Sequence, residues 1–419
     1  MITMKRIGLI SVLSALVFVG CTNESVETTQ VDNFNKSLEF IILEDEAVAS
    51  ATDFLNKGNE VNSRSLSDAS IKTIWREIPL KGVQSRSGND NETVEIPVYV
   101  VSYTDENNDP NGYVVTVGDK RVIDRVLVFA DEGGWDVSEI PGFEALFWDN
   151  VDKSLTQTLS ESDIDMCDTY EYIETGEIEK FAVDLFLTWG QSPSPYNDSL
   201  PACNSTTNMV AGCVAVAMGQ IMAHHEYPYS GSYVHPRYNR TVNATYNWSK
   251  IKASCDARQL PLNEGRSGVA NILAEAGYKV NMVYGCNVST AYTSAVPNAF
   301  SLMGYNSTLD DFDLSIVMDN IDNEQPIYIS GVASGSDIGH AWVIEGYKQI
   351  VNNLIYGRDC PEGGGESIPP TVVGYSVVSN YLYFNLGGHG ASNGFYLADT
   401  FGTWHYPSYL KIVYNIDYK

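Results

Sequence analysis

The strongest constraint on this chain is a change of hydrophobic period partway along its C-terminal half. Apolar residues recur at helical spacing over 212–225 and 265–278, and the first of these segments stops before Pro228. From 326 onward they come instead in short runs, 326–332, 341–350, 375–386, 394–398 and 409–416, separated by Gly-rich or Pro-containing loops. Helices followed by strands predict an α+β domain with a helical half and an antiparallel sheet half. Upstream the theme repeats on a smaller scale. Residues 43–57 predict a helix that places Ala47, Ala51, Phe54 and Leu55 at helical spacing, and 94–103, 112–118 and 125–130 predict an antiparallel sheet. The turn at 105–112 alternates acidic and amide side chains but lacks the glycine and closing glutamate of a calcium loop, so it reads as a turn. Residues 149–180 are acidic and polar with few apolar anchors, and read as an exposed connector at a domain boundary. A length of 419 residues favours two domains over one.

The 53 acidic residues against 25 basic give a net charge of -28, which disfavours nucleic acid and anionic membrane surfaces as partners. With 44% hydrophobic residues the acidity does not signal disorder. Lys5 and Arg6 precede an apolar run over 7–19 and then Gly20 and Cys21, the layout of an export signal over 1–20. The run is too short for a spanning helix, which needs about 20 residues. Phe18-Val19-Gly20-Cys21 resembles a lipobox, which would make Cys21 the lipid-bearing first residue of the mature chain; an ordinary cleaved signal is the alternative. Residues 22 to about 37 are polar and aperiodic, as a tether would be. The other cysteines are Cys167, Cys203, Cys213, Cys255, Cys286 and Cys360, with neither a CxxC pair nor zinc-finger spacing, so no metal or cofactor is expected.

Cys213 follows Gly212 at the first turn of a predicted apolar helix, where unpaired amides and the helix dipole favour thiolate over thiol. A buried structural cysteine is the alternative. A thiol nucleophile needs a base. His224 faces the same side of that helix but lies about 16 Å along it, out of reach, so His224 and His225 read as surface or packing residues. His340 sits at the mouth of a predicted strand after a Gly/Ser-rich loop, 127 residues beyond Cys213, near the separation of about 130–150 found in papain-type enzymes. A histidine that merely caps a strand is the alternative for this segment by itself.

Together, Gly212-Cys213-Val214-Ala215 with Gln220-Ile221-Met222, Gly339-His340-Ala341, Asn385 with Gly387, Gly390, Ser392, Gly394 and Phe395, and Trp189-Gly190-Gln191 with Ser194-Pro195-Tyr196-Asn197 resemble the streptopain family of bacterial cysteine peptidases. The motifs run in the family's order, and 112–135 is similar, less specifically, to its propeptide. The resemblance implies a papain-like catalytic domain over 166–419, preceded by a propeptide over 22–165 that inhibits the enzyme until it is removed. It implies Cys213 as nucleophile, His340 as general base and then acid, Gln191 with the Cys213 amide as the oxyanion site, and Asn385 as the residue that orients the imidazole. Protein or peptide substrates and the chain's own propeptide are the implied partners, with membrane contact only through a lipid at Cys21. One departure stands out: Leu386 and Gly388 occupy positions where the family usually has tryptophans, which leaves specificity, rate and the orienting group open. His389, just beyond, reads as a loop histidine, with a polar role in the cleft as the alternative. A pseudopeptidase with the same fold and a surface-binding lipoprotein are the rival readings.

Overall fold

A computed structural model describes residues 40–57, 64–65, 68–80, 92–161, 168–262, 264–358, 368–401 and 410–418. The export signal, Cys21, the tether, Cys167, Cys360 and the expected boundary near 165 lie outside the described residues.

Helix α1 (Glu44–Asn56) opens with Glu44, Asp45 and Glu46, which suit the positive end of its dipole, and buries Ala47, Ala51 and Leu55 at intervals of four. Strands β1 (Ala69–Leu80), β2 (Glu92–Thr104), β3 (Pro110–Val117) and β4 (Val126–Ala130) form an antiparallel meander. Successive residues of β2 (Val98, Tyr99, Val100 and Val101) are all buried, so both of its faces are covered. Between β2 and β3, the Asp105 carboxylate accepts the amides of Asn107 and Asp109 at 2.8 and 2.9 Å, closing the acidic segment as a turn.

The expected connector over 149–180 is corrected by two regular elements. Helix α2 (Pro141–Glu161) buries Phe143, Leu146, Phe147, Val151, Leu155 and Leu159 in a single stripe. Its acidic residues lie outside that stripe, where Asp152 pairs with Arg76 and Asp149 with Lys153. Strand β5 (Asp168–Phe181) pairs with β10 from Gly346↔Phe181 to Arg358↔Asp168. It reads as polar because this ribbon is largely exposed, and Lys348 neutralises Glu177 and Glu179 across it at 3.0 and 3.1 Å.

The C-terminal half has the expected α+β arrangement. Helices α3 (Cys213–His225) and α4 (Glu264–Lys279) pack together, and α3 also lies against β10, which explains its burial from Val214 to Ala223. A β6 (Ser230–His235) and β7 (Arg240–Thr245) hairpin and helix α5 (Val296–Leu302) complete this half. The sheet half holds β8 (Tyr305–Asp311), helix α6 (Leu314–Asp322), β9 (Ile327–Val332), β10 (Gly339–Arg358), β11 (Ile368–Asn385), β12 (Gly394–Leu397) and β13 (Lys411–Tyr418). One sheet runs β1-β2-β3-β4-β12-β11-β10-β9-β13-β8. The two halves of the chain join where β4 pairs with β12, at Phe395↔Phe129 and Tyr396↔Val128. Phe143 and Phe147 from α2 share a core with Trp342, Phe384, Tyr396 and Phe401, so the N-terminal region docks both through strand pairing and through buried aromatics. Cys203 and Cys286 form a disulfide across an 83-residue separation.

Candidate active site

Gly212 precedes α3 with φ of +87°, and a Cβ there would run into Met282 and Ser289, so glycine is the residue that admits this entry to the helix. Cys213 follows as the first helical residue and faces a cleft of about 1940 Å³ that His340 and Gln191 also line. Part of Cys213 reaches the cleft, yet enough protein surrounds the sulfur that burial raises the thiol's pKa. Amide hydrogen bonds, led by that of Ala341, lower it in part. The helix terminus therefore does not by itself deliver the expected thiolate.

His340 is the second residue of β10, opposite Gly331 of β9. Its imidazole is buried, lies parallel to the Trp342 ring at 5.9 Å, and meets the edge of Phe143 at 6.0 Å. Its Nε2 is 2.8 Å from the Leu386 carbonyl; since a carbonyl can only accept, Nε2 carries the proton. Burial lowers the His340 pKa to about 4, against the weaker opposing effect of that hydrogen bond. Among the described residues no hydrogen bond joins the thiol to the imidazole. In this state both groups are neutral.

Asn385 does not make the expected side-chain bond to His340, and the carbonyl of the next residue takes that place. The Asn385 amide nitrogen donates to the Leu187 carbonyl at 2.6 Å and to Glu345 Oε1 at 2.9 Å. Its oxygen accepts from Gln220 Nε2 at 3.0 Å and from the Gly387 amide at 3.3 Å. With both ends of the amide engaged, Asn385 is fixed in place, fully buried and not among the residues that line the cleft. Burial raises the Glu345 carboxyl to about 8, opposed by the Asn385 amide, so it is protonated at neutral pH. Sequence reasoning missed the parts of Glu345 and Gln220 here. The signal was available: each is a lone long polar side chain inside an apolar run, Val343-Ile344-Glu345 and Met218-Gly219-Gln220-Ile221.

Gln191 follows Trp189-Gly190 in a loop whose main chain is held by the Ala211 amide at 2.9 Å. No hydrogen bond among the described residues occupies its side-chain amide. His389 enters the same wall of the cleft, with its ring nitrogen on the Ser192 carbonyl. His224 and His225 sit at the far end of α3 as expected, His224 on the Glu324 carbonyl and His225 against Tyr305 and Tyr418. Among the described residues there is no cluster of three His, Cys, Asp or Glu side chains able to hold a metal.

The N-terminal region closes over this site. The 134–143 segment meets the cleft at four points, Ser392, Gly388, Gly339 and His340. Asp136 donates its amide to Ser392 Oγ at 2.9 Å, and Gly134 accepts the Ser392 amide at 3.1 Å. A side chain at Gly388 would collide with Ile140, and one at Gly142 with the Gly339 carbonyl, so these surfaces are in close contact. Phe143 completes the wall around His340.

Residues 189–396 match the Peptidase C10 family. Streptopain of Streptococcus pyogenes is 27% identical over 347 residues, covering 72% of this chain and 78% of streptopain. The thiol protease/hemagglutinin PrtT of Porphyromonas gingivalis is 31% identical over 196 residues, covering 42% of this chain and 22% of that protein. Among solved structures, a mutant fragment of Prevotella intermedia prointerpain A aligns with a TM-score of 0.51 at 19% identity, covering 83% of this chain and 100% of the fragment. That last likeness concerns the fold.

Proposed function

Because the chain is a cysteine peptidase of the streptopain family, we propose that it is an exported zymogen in which Cys213 attacks peptide carbonyls and His340 serves first as base and then as acid. The observation that carries this reading is the placement of Cys213, His340 and the unengaged Gln191 amide on one cleft. Once His340 leaves the Leu386 carbonyl, it takes the Cys213 proton. The sulfur then adds to the substrate carbonyl carbon, Gln191 and the Cys213 amide receive the oxyanion, and the imidazolium protonates the departing amine. Water, deprotonated by His340, hydrolyses the thioester and restores the thiol.

Residues up to α2 act as the inhibitory propeptide. They wall in His340 through Phe143 and, by burying it, keep the imidazole uncharged. Cleavage between Glu161 and Asp168 suits this role, since a cut inside α2 or β5 would break a buried stripe or a strand pairing. Lipid attachment at Cys21 would hold the precursor at a membrane until that cut releases the catalytic part.

Purified full-length chain, incubated with a thiol reductant and an epoxide-type thiol inhibitor, is expected to self-process and to gain one inhibitor adduct at Cys213 by intact mass. Cys213→Ala and His340→Ala are each expected to abolish peptide hydrolysis while circular dichroism stays native. Hydrolysis that survives Cys213→Ala refutes the assignment. A weakened enzyme that keeps the cleft as a binding site is the second reading, favoured by the engagement of the Asn385 side chain with Leu187, Glu345 and Gln220 instead of His340; native folding with no adduct would select it.

A further inference from the structure

We infer that His389 is a positioning residue for the reaction: its main-chain amide and its imidazole bracket Gln191 and hold the loop that presents the oxyanion donor. The inference rests on the proposed role of Gln191. The His389 amide donates to the Trp189 carbonyl at 3.3 Å, and its Nε2 donates to the Ser192 carbonyl at 2.6 Å. These acceptors stand two residues before Gln191 and one after it. Between them the ring covers Gly190, where any side chain would overlap the imidazole, and it rests 5.3 Å from the Tyr196 ring. Among the described residues, Gln191 itself contributes only its carbonyl, which accepts the Ala211 amide. His389 therefore supplies the fixed points from the cleft side.

Two costs accompany this arrangement. His389 adopts a left-handed backbone, φ of +61°, although it lies in a run of glycines that would adopt it freely. Its Nδ1 is buried with no partner among the described residues. A glycine at 389 would remove both costs and lose only the ring. The ring's contacts with Gly190, Tyr196 and Ser192 are what it retains in return, and all of them lie on the Gln191 loop. The opposite side of the same glycine run is gripped by the N-terminal region through Ser392. When the propeptide leaves, that grip is lost, and the His389 contacts are what still tie the run to the Gln191 loop.

The test uses full-length chain activated by its own processing, in wild-type form and as His389→Gly, His389→Gln, Gly190→Ala and the Gly190→Ala/His389→Gly pair. His389→Gly suits the observed φ and should fold. We expect it to lower kcat on a peptide substrate about 10- to 100-fold with KM changed less than about threefold. Affinity for a peptide aldehyde, whose adduct carries the oxyanion, should fall in parallel, while alkylation of Cys213 by iodoacetamide, which forms no oxyanion, stays within about twofold. His389→Gln, which keeps an N–H for Ser192, should recover most of the loss. Gly190→Ala should impair the wild type but add less than about twofold to His389→Gly, because the ring it strikes is gone. Any of three results overturns the inference: unchanged kcat in His389→Gly, an equal loss in alkylation, or independent effects of the two substitutions. If instead the wild type shows no rapid alkylation at Cys213, the reading of the site itself fails.

Discussion

Release of the N-terminal region should convert Cys213 from a thiol into one half of an ion pair, and the structure sets the size of the change. Burial against Phe143 and Trp342 takes His340 from 6.5 to about 4. At 1.36 kcal/mol per pH unit that disfavours imidazolium by about 3.4 kcal/mol, or about 300-fold, in the precursor. The raised Cys213 pKa works in the same direction. Removing α2 from the cleft should expose the imidazole on its Phe143 side and lift much of this penalty, with Trp342 left in place. The assay is the rate of Cys213 alkylation by iodoacetamide between pH 5 and 10, before and after processing. A Cys255→Ala background serves here because Cys255 is also a free thiol lining the cleft. Precursor should show a single rise toward alkaline pH as the thiol ionises. Processed enzyme should add a plateau near neutrality, on the order of 100-fold faster than precursor at pH 6. A precursor that alkylates at pH 6 within about tenfold of the processed form would refute burial of His340 as the source of latency.

Three further outcomes are expected. Replacing both Cys203 and Cys286 by alanine opens a loop of 83 residues and should cost about 4.5 kcal/mol in non-reducing urea melts on the loop-entropy account; an unchanged midpoint would contradict it, and reductant added to protect Cys213 should produce the same shift in the wild type. Glu345 is raised from 4.5 to about 8 by burial, so the folded state holds a proton that the unfolded chain releases, and this group's contribution to stability falls as pH rises from 4.5 through 8. Glu345→Gln should flatten that part of the pH dependence in thermal melts, whereas parallel pH profiles for the two proteins would show that Glu345 is not the source. Gln191→Ala should lower kcat by about 10²–10³ with alkylation of Cys213 unchanged, and a kcat within about threefold of wild type would remove Gln191 from the oxyanion site.

Much of the fold was legible because local periodicity carries it. Apolar spacing located α1, α3 and α4 to within a residue or two, and β-branched and aromatic runs located the strands around His340 and Asn385. Legibility failed where an element is polar for a tertiary reason. The acids of α2 lie off its buried stripe, and β5 owes its polarity to an exposed ribbon on β10, so both looked like connector. Strand β1 alternates mostly between half-exposed and exposed residues, and with Ile74 and Trp75 adjacent its sequence shows no clean two-residue period.

By itself the sequence determined the order of helices and strands, the glycine-cysteine entry to α3 and the set of side chains that can meet in the cleft. Only the tertiary structure decided what those side chains do to one another. Leu386 rather than Asn385 receives the His340 proton, Asn385 turns down to Glu345 and Gln220, and Phe143 from the N-terminal region seals the imidazole. The physical reason is range. Backbone preference and hydrophobic period are set by neighbours within a turn or two of chain, whereas a hydrogen-bond partner or a pKa is set by whatever the fold brings within a few ångströms. Residues 143, 340 and 386 become neighbours only when the sheet is complete.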